Sequence, residues 1–418
     1  MAPPKEKKQT HRSHVPSLPS PFLVLLPSEE EEENHEDYSV SFLNLEANRI
    51  HRITNSFTQQ LRKSRCVGSS HGWLVLLDEW ANPCLFNPFS CHRILLPPKE
   101  TLPHVISVSG SAEYGFDIEY FHGAPVSRSV TAKEIQECLI LKAILSSDPC
   151  HGNGMDFVVM AIYGCEAKVA FCKHGDSVWT DLEGKNHPYC DIICHKNQLF
   201  ALSEMGSVES WDFSTPSFVK TMDFHPLQVF PKKVTENTCL YDDRDRFTCR
   251  CYLVESCGDC LLVNRHVGEF VSDNGEAVCE ADLLSDECSH PLVYPYKTLE
   301  FTVYRLNIIQ RTWEEVESLG DRALFLGGNH SVSLSTPAAH CKRNSIYFTD
   351  DYWERMNEDY LYGGHDVGVF SLDDKSVKPL KNLDLPQRVD PPPFWLVPSI
   401  LTVDATLSVD LPIVKHIT

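Results

Sequence analysis

The chain has 418 residues, of which 42% are hydrophobic and 23% charged, and its formal net charge is −21. That is a globular composition with enough length for a large core. An acidic surface repels phosphates, which excludes nucleic acid as a natural partner, and no apolar run reaches the roughly 18 residues of a membrane span.

Met1 to Pro21 is polar, partly basic and rich in proline, and reads as a disordered segment. Phe22 to Leu26 follows as a strand; it is too short for the apolar core of a signal peptide. The chain therefore reads as intracellular, in cytoplasm or nucleus. Glu29 to Glu33 is a run of acids, expected as a solvated loop. Tyr38 to Leu45 and Arg49 to Ile53 read as a hairpin.

From Gly68 to Pro98, GSSHGWLVLLDEWANPCLFNPFSCHRILLPP, three short strands are predicted: Trp73 to Leu77, Cys84 to Phe86 and Arg93 to Leu96. Lys99 to Gly110 reads as a connection. Cys138 to Ser146, Asp156 to Tyr163, Lys168 to Lys173 and Val178 to Leu182 form the next group. Asp191 to His195, Gln198 to Leu202 and Ser207 to Asp212 form another. Arg250 to Glu255, Cys260 to Arg265, Leu299 to Asn307 and Trp313 to Val316 form a fourth, interrupted by an acid-rich insertion, Val267 to Tyr296, expected to be a mobile loop. Ala323 to Gly327, Ser331 to Ser335, Ser345 to Thr349 and Val367 to Ser371 form a fifth.

Short strands with tight polar turns make meander sheets, and one such sheet cannot bury both faces alone. Strand groups recurring every 40 to 60 residues or so therefore predict an all-β chain, a β-propeller of short antiparallel meander blades. Closure is expected between the strand beginning at Phe22 and the last segment, Phe394 to Val403, which removes free edges. The propeller is placed at residues 22–403, with 404–418 as a tail. The repeats are too divergent to fix the blade number.

Specific segments carry a resemblance. GSSHGW, LFNP and LLPP are followed by LKAILSSDP (Leu141 to Pro149), YLVESCGDCLLV (Tyr252 to Val263) and WEEVESLGDRALFLGGNHSVSLS (Trp313 to Ser335). Then come RNSIYFTDD (Arg343 to Asp351), DVGVFSLDD (Asp366 to Asp374) and PPPFW (Pro391 to Trp395). This ordered set resembles the plant F-box-associated propeller family, kelch-like and of KIB type. The resemblance implies a protein-binding propeller, the substrate-recognition part of F-box proteins. Relatives carry a helical F-box that holds a Skp1-type adaptor. Pro3, Pro4, Pro16, Pro19 and Pro21 forbid such a bundle in Met1 to Pro21, so adaptor binding is not expected, and the target protein is unknown. A substrate receptor of a cullin-type ligase, its F-box missing or supplied in trans, is the alternative; an enzyme using the central channel is the third reading.

Candidate chemistry is sparse. Gly68-Ser69-Ser70-His71-Gly72 matches G-x-S-x-G, but a nucleophile elbow needs a strand before the serine and a helix after it, and here a basic segment precedes and a strand follows. Cys249, Cys251, Cys257 and Cys260 could in principle hold zinc, yet Cys257 to Cys260 reads as a hairpin turn, and strand cysteines are expected on alternating sides. Cys190, Cys194 and His195 read as one buried strand. The 17 cysteines are irregularly spaced and expected as free thiols. No catalytic residue, metal or cofactor is therefore assigned. Tyr347 is expected in the core. Asp350, Asp351, Tyr352 and Trp353, rigid aromatics beside charges, are the candidate partner-binding residues.

Overall fold

The computed structural model describes residues 21–398 except 27–39, 46–48, 54–57, 59–60, 151–156, 216, 225–245, 273–274, 279–295, 340, 353–364, 381–382 and 384–391. Residues 1–20 of the segment expected to be disordered, the acidic run, most of the acid-rich insertion, Trp353 and the tail lie outside the described residues.

The strands run β1 (Phe22–Leu25), β2 (Val40–Asn44), β3 (Arg49–Ile53), β4 (Arg65–Ser70), β5 (Trp73–Leu77), β6 (Pro83–Asn87) and β7 (His92–Leu95). Next come β8 (Val105–Ser111), β9 (Gly115–Phe121), β10 (Pro125–Val130) and helix α1 (Ala132–Cys138). β11 (Ile140–Leu145), β12 (Val158–Tyr163), β13 (Lys168–Lys173) and β14 (Thr180–Asp181) follow. Then come β15 (Tyr189–His195), β16 (Gln198–Ser203), β17 (Val208–Asp212) and β18 (Val219–Phe224). β19 (Phe247–Ser256), β20 (Asp259–Gly268), β21 (Lys297–Asn307) and β22 (Thr312–Glu315) are longer on average. The last elements are β23 (Arg322–Leu326), β24 (Ser331–Ser335), helix α2 (Thr336–Ala339), β25 (Ser345–Phe348), β26 (Gly368–Ser371), β27 (Ser376–Pro379) and β28 (Phe394–Leu396).

Among the described residues, six sheets form the ring of an all-β propeller: β28-β1-β2-β3, β4 to β7, β11 to β14, β15 to β18, β19 to β22, and β24-β23-β25-β26-β27. The strands β28, β4, β11, β15, β19 and β24 pack side by side around the axis. Burial follows radius. β5 (WLVLL) and β12 (VVMAIY) are buried at every position, whereas the outer strand β7 is mostly exposed. A middle strand faces a neighbouring blade on both sides, so its apolar run is continuous rather than alternating.

The predicted closure is present. β28, near the C-terminal end, pairs with β1, Leu23 opposite Trp395. Asn329, in the turn before β24, donates to the Trp395 carbonyl at 2.9 Å, and Phe325 meets the Trp395 ring edge-on at 5.1 Å. The sixth and first blades are locked there.

The structure corrects two expectations. Lys99 to Gly110 is not a plain connection: it contains β8, the start of a separate three-stranded sheet, β10-β9-β8, outside the ring. Its inward residues Phe116, Ile118 and Val130 join the core of the second and third blades. The sixth blade is not a simple meander. β24 takes the innermost place, and β25 crosses back to pair parallel with β23, Leu324 opposite Ile346. Parallel neighbours need a crossover, and α2 with the segment up to Asn344 supplies it. Asn344 sits at φ 51° and fixes the return: its amide nitrogen donates to Arg322 at 2.8 Å, and its side chain accepts from Leu319 at 2.8 Å.

Candidate interaction surfaces

The inner strands enclose a cavity of about 650 Å³ whose lining includes His71, Lys142, Asp148, Cys194, Glu255 and His330. Sequence spacing could not bring these together, because they come from five different blades. Most of the polar groups are already engaged. Asp191, 1% exposed beneath this wall, pairs with Lys142 at 2.6 Å and accepts the Leu253 amide at 2.7 Å. One carboxylate thus joins three blades. Burial raises its carboxyl above the usual range, while Lys142 and the two amides of Leu253 and Ile192 oppose that. Asp148 accepts Trp73 Nε1 at 3.0 Å and the Cys150 amide at 2.9 Å. Glu255 accepts the Gly258 amide at 2.8 Å. Burial, with Lys142 and His71 adding, holds the His330 imidazole down to about 3, so it is neutral at pH 7.

The G-x-S-x-G segment is a hairpin. A strand does precede the serines, since β4 runs through Ser70, but β5 follows and no helix does. Gly68 is needed for another reason. A Cβ there would lie 2.0 Å from the Ala143 carbonyl oxygen, so this glycine lets β4 and β11 approach. Cys190, Cys194 and His195 all lie on β15, an inner strand, as expected.

The four clustered cysteines divide in two. Cys249 and Cys251, two residues apart on β19, share a face rather than alternating, since side chains repeat every second residue. Contact with Cys249, with burial adding, pushes the Cys251 thiol well up. Cys260 lies opposite Glu255, four residues beyond Cys251, which is about 13 Å along the strand. Cys257 is exposed in the turn, and burial pushes Cys260 up to about 12.

Of the four candidate partner-binding residues, the three that are described, Asp350, Asp351 and Tyr352, are buried rather than facing solvent. Asp350 is 1% exposed, Asp351 3% and Tyr352 8%. A buried side chain has no surface to offer a partner. Instead they close a polar core between the fifth and sixth blades. Its centre is Arg265, also 1% exposed. Arg265 Nη1 lies 3.0 Å from Asp351 Oδ1 and Nη2 lies 2.7 Å from Asp366 Oδ2; Nε donates to Thr298 Oγ1 at 2.7 Å. Tyr296 OH donates to Asp350 at 2.6 Å, and Tyr352 OH to Glu269 at 2.8 Å. Burial and the neighbouring Asp366 raise the Asp350 carboxyl. Nothing in the sequence marks Arg265 as the hub, since its partners lie 13 to 101 positions away. Tyr347 is in the core as expected, stacked on Phe325 at 4.8 Å. Among the described residues no helix is long and apolar enough to cross a membrane.

Comparison with known proteins agrees with this architecture. The chain is similar to the F-box protein SKIP23 of Arabidopsis thaliana, 27% identical over 412 residues, which covers 94% of this chain and 86% of that protein. It is also similar to the probable F-box protein At4g22165 of the same plant, 23% identical over 390 residues, covering 93% and 87%. Among solved structures, the N-terminal domain of Nup159 aligns with a TM-score of 0.29 at 13% identity, over 79% of this chain and 80% of that one. A likeness at that score carries no argument. The KIB1-4 beta-propeller family matches residues 42–371, which takes in strands of all six blades, and the chain belongs to that family.

Proposed function

We propose that this chain is a non-catalytic, protein-binding propeller that holds a target protein on its surface. The observation that carries the reading is the state of the central cavity. Asp148, in its lining, is spent on Trp73, and Asp191, beneath its wall, on Lys142 and Leu253, while the remaining lining acid, Glu255, bonds within its own hairpin to Gly258. A catalytic pair needs a group held ready for the substrate. Fold alone does not decide function, and family membership beside relatives named F-box proteins adds weight to recognition over chemistry.

The names of those relatives favour a second reading, in which the chain receives substrates for a cullin-type ubiquitin ligase. The two readings part at the adaptor. The test is tagged full chain expressed in plant tissue, recovery of bound proteins, and repetition of each contact with purified components. A target that binds directly while a purified Skp1-type adaptor does not is the expected result. Direct adaptor binding at micromolar strength favours the receptor reading. A chain that binds no protein overturns both.

A further inference from the structure

The three-stranded sheet outside the ring leaves a groove between itself and the third blade. Its apolar lining is Val105, Ile118, Tyr120, Val130, Leu139 and Tyr163, and its volume is about 90 Å³. An engineered cavity of about 150 Å³ admits benzene. This groove is smaller and open to one side, so it fits one aliphatic side chain of a larger partner rather than a free ligand. We propose that it receives an extended segment of a partner protein, with an apolar side chain in the groove and acidic residues beside it. This rests on the protein-binding reading and gives it a place.

Three observations carry the choice of occupant. The first is charge. Arg128 and Lys168 line the groove against one acid, Glu166. With histidines neutral the lining itself carries one net positive charge, in a chain whose net charge is −21, and Asp181 stands behind it against His104 at 3.4 Å. Glu166 already pairs with Lys168 and His122, and Glu134 is occupied in the cap of α1. Arg128 is exposed, and among the described residues no carboxylate lies within 4.0 Å of it, Glu134 acting on it only from farther off, so acidic residues beside the anchor meet a cation.

The second observation is the edge. In the order β10-β9-β8, β10 ends the sheet, and Pro125 to Ser129 are all exposed. Natural edges are blunted by charge, proline or cover, and β10 carries only Arg128 and, at its first position, Pro125. An extended peptide can add to such an edge through main-chain hydrogen bonds, with alternate side chains reaching the pocket. Arg128 and Val130 point from β10 into the groove lining, so an added strand presents its own side chains over the same opening. The third is apolar exposure. Phe121 is 49% exposed at the groove and Val126 is 37% exposed on β10, and exposed apolar surface rimmed by polar groups marks interaction sites.

The test uses the full chain and short acetylated peptides, each with a central leucine flanked by glutamates, the same leucine flanked by lysines, or a serine flanked by glutamates. Fluorescence anisotropy at physiological ionic strength reads affinity, and hydrogen exchange reads the β10 amides. The glutamate–leucine peptide is expected to bind at least tenfold tighter than both others and to protect β10. Arg128→Glu is expected to reverse the charge preference, and Phe121→Glu to weaken the leucine peptides about tenfold. Both positions are exposed, so neither variant threatens the fold. Equal binding of the three peptides, or binding unchanged in both variants, overturns the groove. A target recovered from tissue that binds wild type and both variants alike overturns the groove and leaves the binding reading standing. A wild-type chain that recovers no target overturns that reading itself.

Discussion

Arg265 and Asp351, on the fifth and sixth blades, meet at 3.0 Å with both side chains almost wholly buried. Asp366 takes the other end of the guanidinium at 2.7 Å, and Thr349 offers its carbonyl at 2.8 Å. The arginine fork matches this geometry in a way an ammonium cannot. Arg265→Met leaves the buried carboxylates of Asp351 and Asp366 without their cation, at a cost of about 3–5 kcal/mol; Asp351→Asn keeps Asp366 on the guanidinium and costs less. Arg265→Lys keeps the charge and loses the fork, so it also destabilises. Urea midpoints for the three variants check this; a shift under about 1 kcal/mol for Arg265→Met shows that the pair is not holding the blades.

A second buried pair makes a similar prediction near the axis. Asp191→Asn leaves Lys142 without its carboxylate at 2.6 Å and weakens the contact to the Leu253 amide. The expected loss is about 3–5 kcal/mol. The double variant Lys142→Met/Asp191→Leu removes both charges and is expected to recover part of it, since replacing a buried pair by apolar residues is often neutral while the Leu253 amide loses its acceptor. No recovery would mean that the pair fixes the inner strands in a way apolar packing cannot.

His330 gives the protein a pH dependence whose sign is fixed. Its folded pKa is held at about 3, below the ordinary 6.5. Between those values the unfolded chain binds more protons than the folded one, so stability falls as pH drops below about 6.5. From pH 6.5 to 5 one such histidine accounts for about 1.5 kcal/mol. His330→Asn is expected to lose that much less than wild type over the same interval. Asp350 acts in the opposite sense: its raised carboxyl binds more protons folded than unfolded, so its share of stability declines as pH rises above about 4. Parallel acid-denaturation curves for His330→Asn and Asp350→Asn separate the two.

How much was legible in the sequence follows from which interactions are local. Strands such as Trp73–Leu77 announce themselves by short apolar runs between turn residues, and their placement needed nothing else. The sheet at Val105–Val130 escaped because its serines and charges face solvent on one side, so the apolar signal of β8 and β10 is diluted. The crossover of the sixth blade escaped because order along the chain does not fix order across a sheet. Asp350, Asp351 and Tyr352 were readable as charges beside an aromatic. Only the fold shows that Arg265 and Glu269, far away in sequence, turn them inward.

Ring closure makes the last prediction. β28 is only Phe394–Leu396, yet it is the innermost strand of the first blade and carries Trp395, 0% exposed. Trp395 Nε1 donates to the Leu326 carbonyl at 2.9 Å, and its backbone exchanges hydrogen bonds with Asn329 at 2.9 and 3.3 Å. Trp395→Ala leaves a large void between the sixth and first blades, at about 3–5 kcal/mol. Asn329→Ala leaves the Trp395 backbone groups unpaired in a buried site, at about 1–3 kcal/mol. The two are neighbours sharing one joint, so their costs are not expected to add. Loss of β28 altogether frees the edge of β1, and an uncovered strand edge promotes association. Light scattering on a chain ending before Phe394 is therefore expected to show oligomers at concentrations where the full chain does not. If the shortened chain stays monomeric with an unchanged melting midpoint, the joint between β28 and β1 is not what closes the ring.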